Sequence, residues 1–171
     1  MSKKKLNCLL LSAGFGTRLR PLTDQWPKCL MPIGDRPLLE YWLQNLCEVG
    51  IPKVLVNLHH HEDKVRQFLQ RPSLRGWVDF VYEETLLGTA GTLLKNKIFF
   101  KDSTILLIHA DNWCQCDFSD FLEFHHHLRP KHCPLTMMTF DSLTPETCGI
   151  VETDEDGIVI KFHENTNTDC S

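Results

Sequence analysis

Long apolar runs are missing from this chain of 171 residues. A membrane-crossing helix needs about 20 consecutive apolar residues. No stretch approaches that, so neither a membrane span nor a membrane partner is expected. The apolar stretch ahead of Ser12 is too short for a secretory leader, and the expected location is cytoplasmic. A basic excess is missing too. Eighteen Lys and Arg stand against 22 Asp and Glu, a net charge of −4. Nucleic-acid binders carry a basic face, so no nucleic-acid partner is expected; the three lysines at 3–5 read as a solvated end.

Among eight cysteines there is no C-x-x-C pair. Cys114 and Cys116 stand only two apart, which is not zinc-ligand spacing. Several of the others sit in apolar runs, as small buried hydrophobes do. The triplets His59–His60–His61 and His125–His126–His127 aim neighbouring rings in different directions. Each offers one ion at most one or two ligands, and both triplets are expected on an exposed surface. There is no G-x-x-x-x-G-K-[ST] phosphate loop, and Leu19 stands where a dinucleotide fingerprint has its third glycine. No repeat, linker or low-complexity segment interrupts the chain, so residues 1–171 are read as one domain. Hydrophobic residues make up 42% of the chain, enough for a real core at this length.

What the chain does have is concentrated between Leu9 and Lys28. An apolar run, residues 6–11, has strand character and ends abruptly in Ser12, Ala13, Gly14, Phe15, Gly16 and Thr17. Small residues let backbone N–H groups converge on one cavity, and such a nest attracts phosphate. Arg18 and Lys28 add two fixed cations, and a guanidinium can grip phosphate oxygens in a bidentate fork. Strand, small-residue loop, arginine and lysine together read as a polyphosphate site.

Hydrophobic periodicity supplies the rest of the frame. Helices are expected over 38–49, 62–69, from 88 to 95 and over 118–128. Strands are expected over 54–58, 77–82, 104–108, 135–140, 149–153 and 158–162. The run at 104–108 is apolar throughout and is expected to be buried on both faces. Asp154–Glu155–Asp156–Gly157 reads as a hairpin turn. Alternating strands and helices predict a Rossmann-like α/β fold: an open, mainly parallel sheet with helices on both faces. Ligands of such sheets bind beyond the carboxyl ends of the strands. Three stretches fall there: the Gly14–Lys28 loop, residues 83–91, and His109–Ala110–Asp111–Asn112. Asp111 follows an apolar strand, and a hard carboxylate on so rigid a support suits Mg²⁺.

The run Gly14, Gly16, Thr17, Arg18, Leu19, Pro21, Leu22, Thr23, then Pro27 and Lys28, resembles the signature of the sugar-1-phosphate nucleotidyltransferases. The wording F-G-T-R-L-R-P-L-T is most similar to the mannose-1-phosphate guanylyltransferase branch, and the resemblance runs to about Glu164. It implies a nucleotide-diphospho-sugar transferase type of fold and an enzyme that joins a nucleoside triphosphate, GTP by this branch, to a sugar 1-phosphate of mannose or heptose type. Pyrophosphate leaves, and Mg²⁺ is the cofactor. It further implies Arg18, Lys28 and Asp111 as catalytic residues, with Asp111 on the metal. Ala13, Gly14, Gly16 and Thr17 would cradle phosphates. Glu83 and Gly88 would hold the base, Glu83 by accepting from guanine's N1–H and exocyclic amine. Gly149 and Glu164 would meet the sugar. Self-association into a homo-oligomer is left open.

Two departures cut against turnover. Asn165 stands where the resemblance expects a lysine on the sugar phosphate, and the expected second metal-binding aspartate has no candidate before Ser171. The expectation is a chain that lacks the C-terminal sugar- and metal-binding part. A nucleotide-binding domain without turnover is therefore the competing reading. A dinucleotide-dependent oxidoreductase would need an acidic residue after the second strand, where this chain has His59–His60–His61.

Overall fold

The computed structural model describes residues 5–163. The chain divides between Gln115 and Cys116 into two compact units.

The first unit is built on a four-stranded parallel sheet in the order β5-β4-β1-β6, with β1 at Lys5–Leu11, β4 at Lys53–Leu58, β5 at Val78–Tyr82 and β6 at Ser103–His109. A two-residue antiparallel pair, β2 (Pro32–Ile33) and β3 (Arg36–Pro37), precedes helix α1 (Leu38–Glu48). Helix α2 (Glu62–Leu69) links β4 to β5, and α3 (Gly88–Lys95) lies between β5 and β6. From β1 the chain steps outward through β4 to β5, then returns to the other side of β1 for β6. Right-handed crossovers in such a path place α1 and α2 on one face and the return connection on the other.

Residue chemistry accounts for these elements. Leu38, Leu39, Trp42, Leu43 and Leu46 form the buried stripe of α1 at helical spacing. Beyond the helix end, Gly50 adopts φ +72°, a left-handed turn that glycine makes without penalty. On one face of the sheet Leu9, Leu11 and Leu55 pack with Phe100, and Val81, Leu93, Phe99, Ile105 and Leu107 gather round them. On β1 the opposite face is Cys8 and Leu10, both fully buried. A central parallel strand buried on both sides is therefore apolar at nearly every position.

The expectation for 104–108 needs correcting. β6 is the end strand of this sheet among the described residues. Thr104, Ile105 and Leu107 on it are half-buried, and only Leu106 and Ile108 are buried. An apolar run on the last strand has a neighbour on one side only.

The second unit contains α4 (Phe118–Glu123), a π-helical turn at Phe124–Leu128, and an antiparallel hairpin of β7 (Ile150–Thr153) and β8 (Val159–His163). Asp117 caps α4, its carboxylate accepting from the N–H groups of Ser119 and Asp120. The hairpin turn forms at 154–157 as expected. Asp154 Oδ1 accepts from the N–H groups of Asp156 and Ile158, and Gly157 sits at φ +76°. The strand expected at 135–140 does not form: the segment has no ladder partner among the described residues. The helix expected over 118–128 changes character after Glu123, where the backbone widens to the π turn.

Candidate functional site

The carboxyl ends of the four parallel strands converge on one rim. Leu11 at the end of β1 aligns with Asn57 of β4 and His109 of β6, and Leu58 aligns with Tyr82. Every expected nucleotide-side residue leaves the sheet from this rim.

Ser12 opens the phosphate loop and is anchored twice. Its N–H donates to Asn57 Oδ1 (2.8 Å) and its hydroxyl to the Asn57 carbonyl (2.6 Å). Ala13 is buried behind it. Gly16 then turns left-handed at φ +63°, and a Cβ there would stand 2.9 Å from Thr23 Cγ2 and 3.2 Å from Lys28 Cβ. Gly14 has nothing within 4 Å of its Cβ position. The two glycines therefore differ: one is demanded by packing and backbone, the other leaves open space. Thr17 begins a short 3-10 turn, Thr17–Leu19, closed by Leu19 N–H on the Gly16 carbonyl (2.9 Å). Among the described residues, the backbone N–H groups of 14–18 donate to no acceptor in the chain. Arg18 is exposed and makes no ion pair among the described residues. Open backbone donors with an unengaged guanidinium alongside form an anion-receiving surface.

Thr23 closes the loop from beneath. It is 1% exposed, and its hydroxyl donates to the Gly16 carbonyl (2.9 Å). Its own carbonyl lies 3.1 Å from His60 Nε2 and 3.2 Å from His61 Nε2. Phe15 packs on His59 and His60, with ring centroids 5.2 and 5.5 Å apart. The expectation of an exposed histidine surface is thus corrected for this triplet. All three rings are half-buried against the loop, because polar imidazole edges find backbone carbonyls there. In the second unit His126 and His127 are exposed, while His125 is half-buried with its Nδ1 2.9 Å from Thr136 Oγ1. Burial holds its pKa below the ordinary histidine value, with the positive charge of Arg129 and neighbouring His126 acting in the same direction.

Lys28 and Asp111, 83 positions apart, meet directly: Lys28 Nζ is 2.8 Å from Asp111 Oδ2. Lys28 opens the 3-10 turn Lys28–Leu30, seated by buried Cys29 and Leu30. Burial pushes the Cys29 thiol up to about 12. Asp111 is fixed on both sides. Ala110 N–H donates to the Leu11 carbonyl (2.9 Å), prolonging the β1–β6 ladder, and Trp42 Nε1–H donates to the Asn112 carbonyl (2.9 Å). The two paired side chains are 28% and 39% exposed, and partly exposed pairs contribute only about 0–1 kcal/mol. An arriving phosphate and cation could replace this partnership at little cost. Among the described residues no three His, Cys, Asp or Glu groups gather as a metal cage. A single hard carboxylate fits magnesium all the same, since that ion commonly takes one or two carboxylates and completes its shell with substrate phosphates and water.

Glu83 departs from expectation. It is fully buried, with no surface to offer a base. Oε1 accepts from Thr92 Oγ1–H (2.5 Å) and Asn57 Nδ2 (3.3 Å), and Oε2 accepts from the Leu87 N–H (3.3 Å). Its carboxylate is thus consumed inside the protein, because α3 brings Thr92 back over the strand end. Gly88, at φ +69° with open space around it, lies on the exposed stretch that follows, residues 84–90. Asn57 and Thr92 carry no motif and went unnoticed in the sequence; an asparagine inside an apolar strand was the available signal.

In the second unit Gly149 lies under Phe162, whose Cζ would be 2.8 Å from an added Cβ. A side chain at 149 would therefore displace the exposed Phe162 ring. Glu164 and Asn165 fall outside the described residues.

Comparison with known proteins agrees with this geometry. The nucleotidyl transferase family model matches residues 7–168. A mannose-1-phosphate guanyltransferase of Pichia angusta is 36% identical over 121 residues, covering 68% of this chain and 33% of that protein. A UTP–glucose-1-phosphate uridylyltransferase of Synechocystis is 28% identical over 176 residues, covering 93% of this chain and 44% of that protein. The chain spans less than half the length of either relative. The crystal structure of HddC from Yersinia pseudotuberculosis complexed with GMP-PN shares the fold, with a TM-score of 0.69 and 22% identity over 92% of this chain and 68% of that one. Strand-end loop, convergent cation and carboxylate, sheet order and family match agree, and the chain belongs to the sugar-1-phosphate nucleotidyltransferases.

Proposed function

We propose that this chain binds a magnesium nucleoside triphosphate at the rim of the parallel sheet, as the nucleotide-side half of a nucleotidyl transfer to a sugar 1-phosphate. The observation that carries the reading is the meeting of Lys28 and Asp111 at 2.8 Å beside the open N–H groups of the Gly14–Arg18 loop. In the reaction, an oxygen of the sugar 1-phosphate attacks the α-phosphorus, a P–O bond forms, and the bond to pyrophosphate breaks. Such chemistry depends on alignment and charge neutralisation rather than on a covalent enzyme intermediate. Residues 14–17 cradle phosphate oxygens through backbone N–H groups. Arg18 grips the triphosphate, and Lys28, packed against Gly16, neutralises the phosphates. Asp111 would hold magnesium, whose charge would further neutralise phosphate oxygens. Gly149 and Glu164 are assigned to the sugar.

GTP is the proposed base partner and a mannose- or heptose-like 1-phosphate the proposed acceptor. The support is the naming of relatives such as the Pichia angusta guanyltransferase. It does not come from Glu83, whose buried carboxylate is spent internally. Cytoplasmic placement is part of the same proposal. Among the described residues, no helix is long and apolar enough to cross a membrane.

A second reading, nucleotide binding without turnover, is favoured by Asn165 at the position where the resemblance expects lysine. An amide cannot supply that charge. Titration calorimetry with GTP, ATP, UTP and dTTP, each with Mg²⁺, tests the binding reading, and pyrophosphate release with mannose 1-phosphate separates the two. Absence of binding to every triphosphate overturns both.

A further inference from the structure

We propose that Asn57 is a positioning residue that ties the phosphate loop to the base loop, and that Glu83 acts in specificity only through this link. The inference rests on the nucleotide-site reading above. It starts from a buried polar chain that the reaction scheme does not use. Asn57, Glu83 and Thr92 are 4%, 0% and 0% exposed. Side chains so deep in an apolar core are tolerated only when their polar groups are matched.

The matching runs in one direction. Asn57 Oδ1 accepts from the Ser12 N–H, which fixes the amide's orientation. Asn57 Nδ2 is then turned toward Glu83 Oε1 (3.3 Å) and Thr92 Oγ1 (3.4 Å). Thr92 Oγ1 gives its proton to Glu83 Oε1 (2.5 Å), and the Leu87 N–H donates to Oε2 (3.3 Å). Three donors face one carboxyl group, so only an acceptor on both oxygens satisfies them all. The chain begins at the first residue of the phosphate loop and ends at Leu87, next to Gly88.

Two backbone anchors hold the same path. The Glu83 N–H donates to the Leu58 carbonyl (2.8 Å), and the Glu83 carbonyl lies 2.7 Å from His59 Nδ1. The separation between phosphate and base loops is therefore set by buried side chains. A small error in that separation weakens a ligand that must reach both loops, and leaves a ligand that needs only one unaffected.

The test compares GTP with inorganic tripolyphosphate, which has no base, both with Mg²⁺. On the unaltered chain, saturating tripolyphosphate should slow hydrogen exchange at the Leu87 amide by about threefold or more. An unchanged rate while tripolyphosphate binds overturns the link. In variants, the readout is the ratio of the two dissociation constants. Thr92→Val keeps shape and removes the hydroxyl; it should weaken GTP about tenfold while tripolyphosphate changes little, and Thr92→Ser should preserve the unaltered ratio. Equal loss for both ligands, or no loss for either, means a merely structural role and overturns the proposal. If the unaltered chain binds neither ligand, the nucleotide reading fails and this inference fails with it.

Discussion

Replacing Gly16 by alanine drives a methyl group into the buried wall of the phosphate loop. The new Cβ would stand 2.9 Å from Thr23 Cγ2 and 3.2 Å from Lys28 Cβ. Thr23 cannot turn aside easily, because its hydroxyl is committed to the Gly16 carbonyl and it is almost wholly buried. Lys28 gives way no more readily, since its neighbours Cys29 and Leu30 are core residues. A left-handed alanine costs about 1–2 kcal/mol, and overpacking of this kind about 1–3 kcal/mol. Together the substitution should cost about 2–5 kcal/mol. For a chain of this size that lowers the melting temperature by about 4–20 °C. The assay is thermal unfolding of Gly16→Ala beside Gly14→Ala. Gly14 has no atom within 4 Å of its Cβ position, so its variant should melt within about 2 °C of the unaltered protein. If Gly16→Ala melts with the unaltered chain and binds GTP equally well, the loop is neither tightly packed at Gly16 nor central to the site.

Arg18→Ala should leave the melting temperature unchanged but weaken GTP by about tenfold to a hundredfold, the loss of a charge-assisted contact; equal GTP affinity by calorimetry removes Arg18 from the site. Asp111→Asn should cost the apo protein no more than about 1 kcal/mol, because its pair with Lys28 is partly exposed. The same variant should lose the magnesium dependence of triphosphate binding, and retained dependence would reassign the ion. By NMR titration, His125 should titrate below the ordinary histidine value of about 6.5, since burial, Arg129 and His126 all disfavour its charged form. The unfolded chain then takes up the proton first, so stability should fall as pH drops through that value, and His125→Gln should flatten the dependence. A His125 titration at or above the ordinary value refutes the assignment. Iodoacetamide at pH 8 should modify exposed Cys47 while sparing Cys29 and Cys8, whose thiols burial pushes up; mass spectrometry showing early labelling of Cys29 would contradict its packing.

Local pattern and long-range partnership account for what the sequence revealed and what it hid. The helix over 62–69 could be read from the spacing of Val65, Phe68 and Leu69, and α2 has those bounds, while α3 opens at Gly88, where a helix is expected to start. The rim position of Asp111 followed from the apolar strand before it, and Ala110 prolongs that ladder as the reading requires. Strand formation at 135–140 was not legible in the same way, since an extended apolar run becomes a strand only when a partner lies beside it. The burial of Glu83 was equally hidden. Its placement at a strand end was plain, but the direction of its carboxylate depends on Asn57, 26 positions earlier, and Thr92, nine later. The Lys28–Asp111 contact spans 83 positions. Motif spacing named both residues without showing that they touch.

Thr23 carries a consequence for how a ligand meets this loop. A carbonyl oxygen has two lone pairs, and two imidazole nitrogens, His60 Nε2 and His61 Nε2, converge on this one. Each ring must then carry its proton on Nε2, which sets the tautomer of both. With the hydroxyl also engaged, both the side chain and the carbonyl of Thr23 are committed to holding the loop in place. The return of the loop is held by side chains from another element rather than by a strand ladder of its own. For the proposed phosphate site at residues 14–18, this means donors held in place before any ligand arrives, so little conformational freedom would be lost on binding.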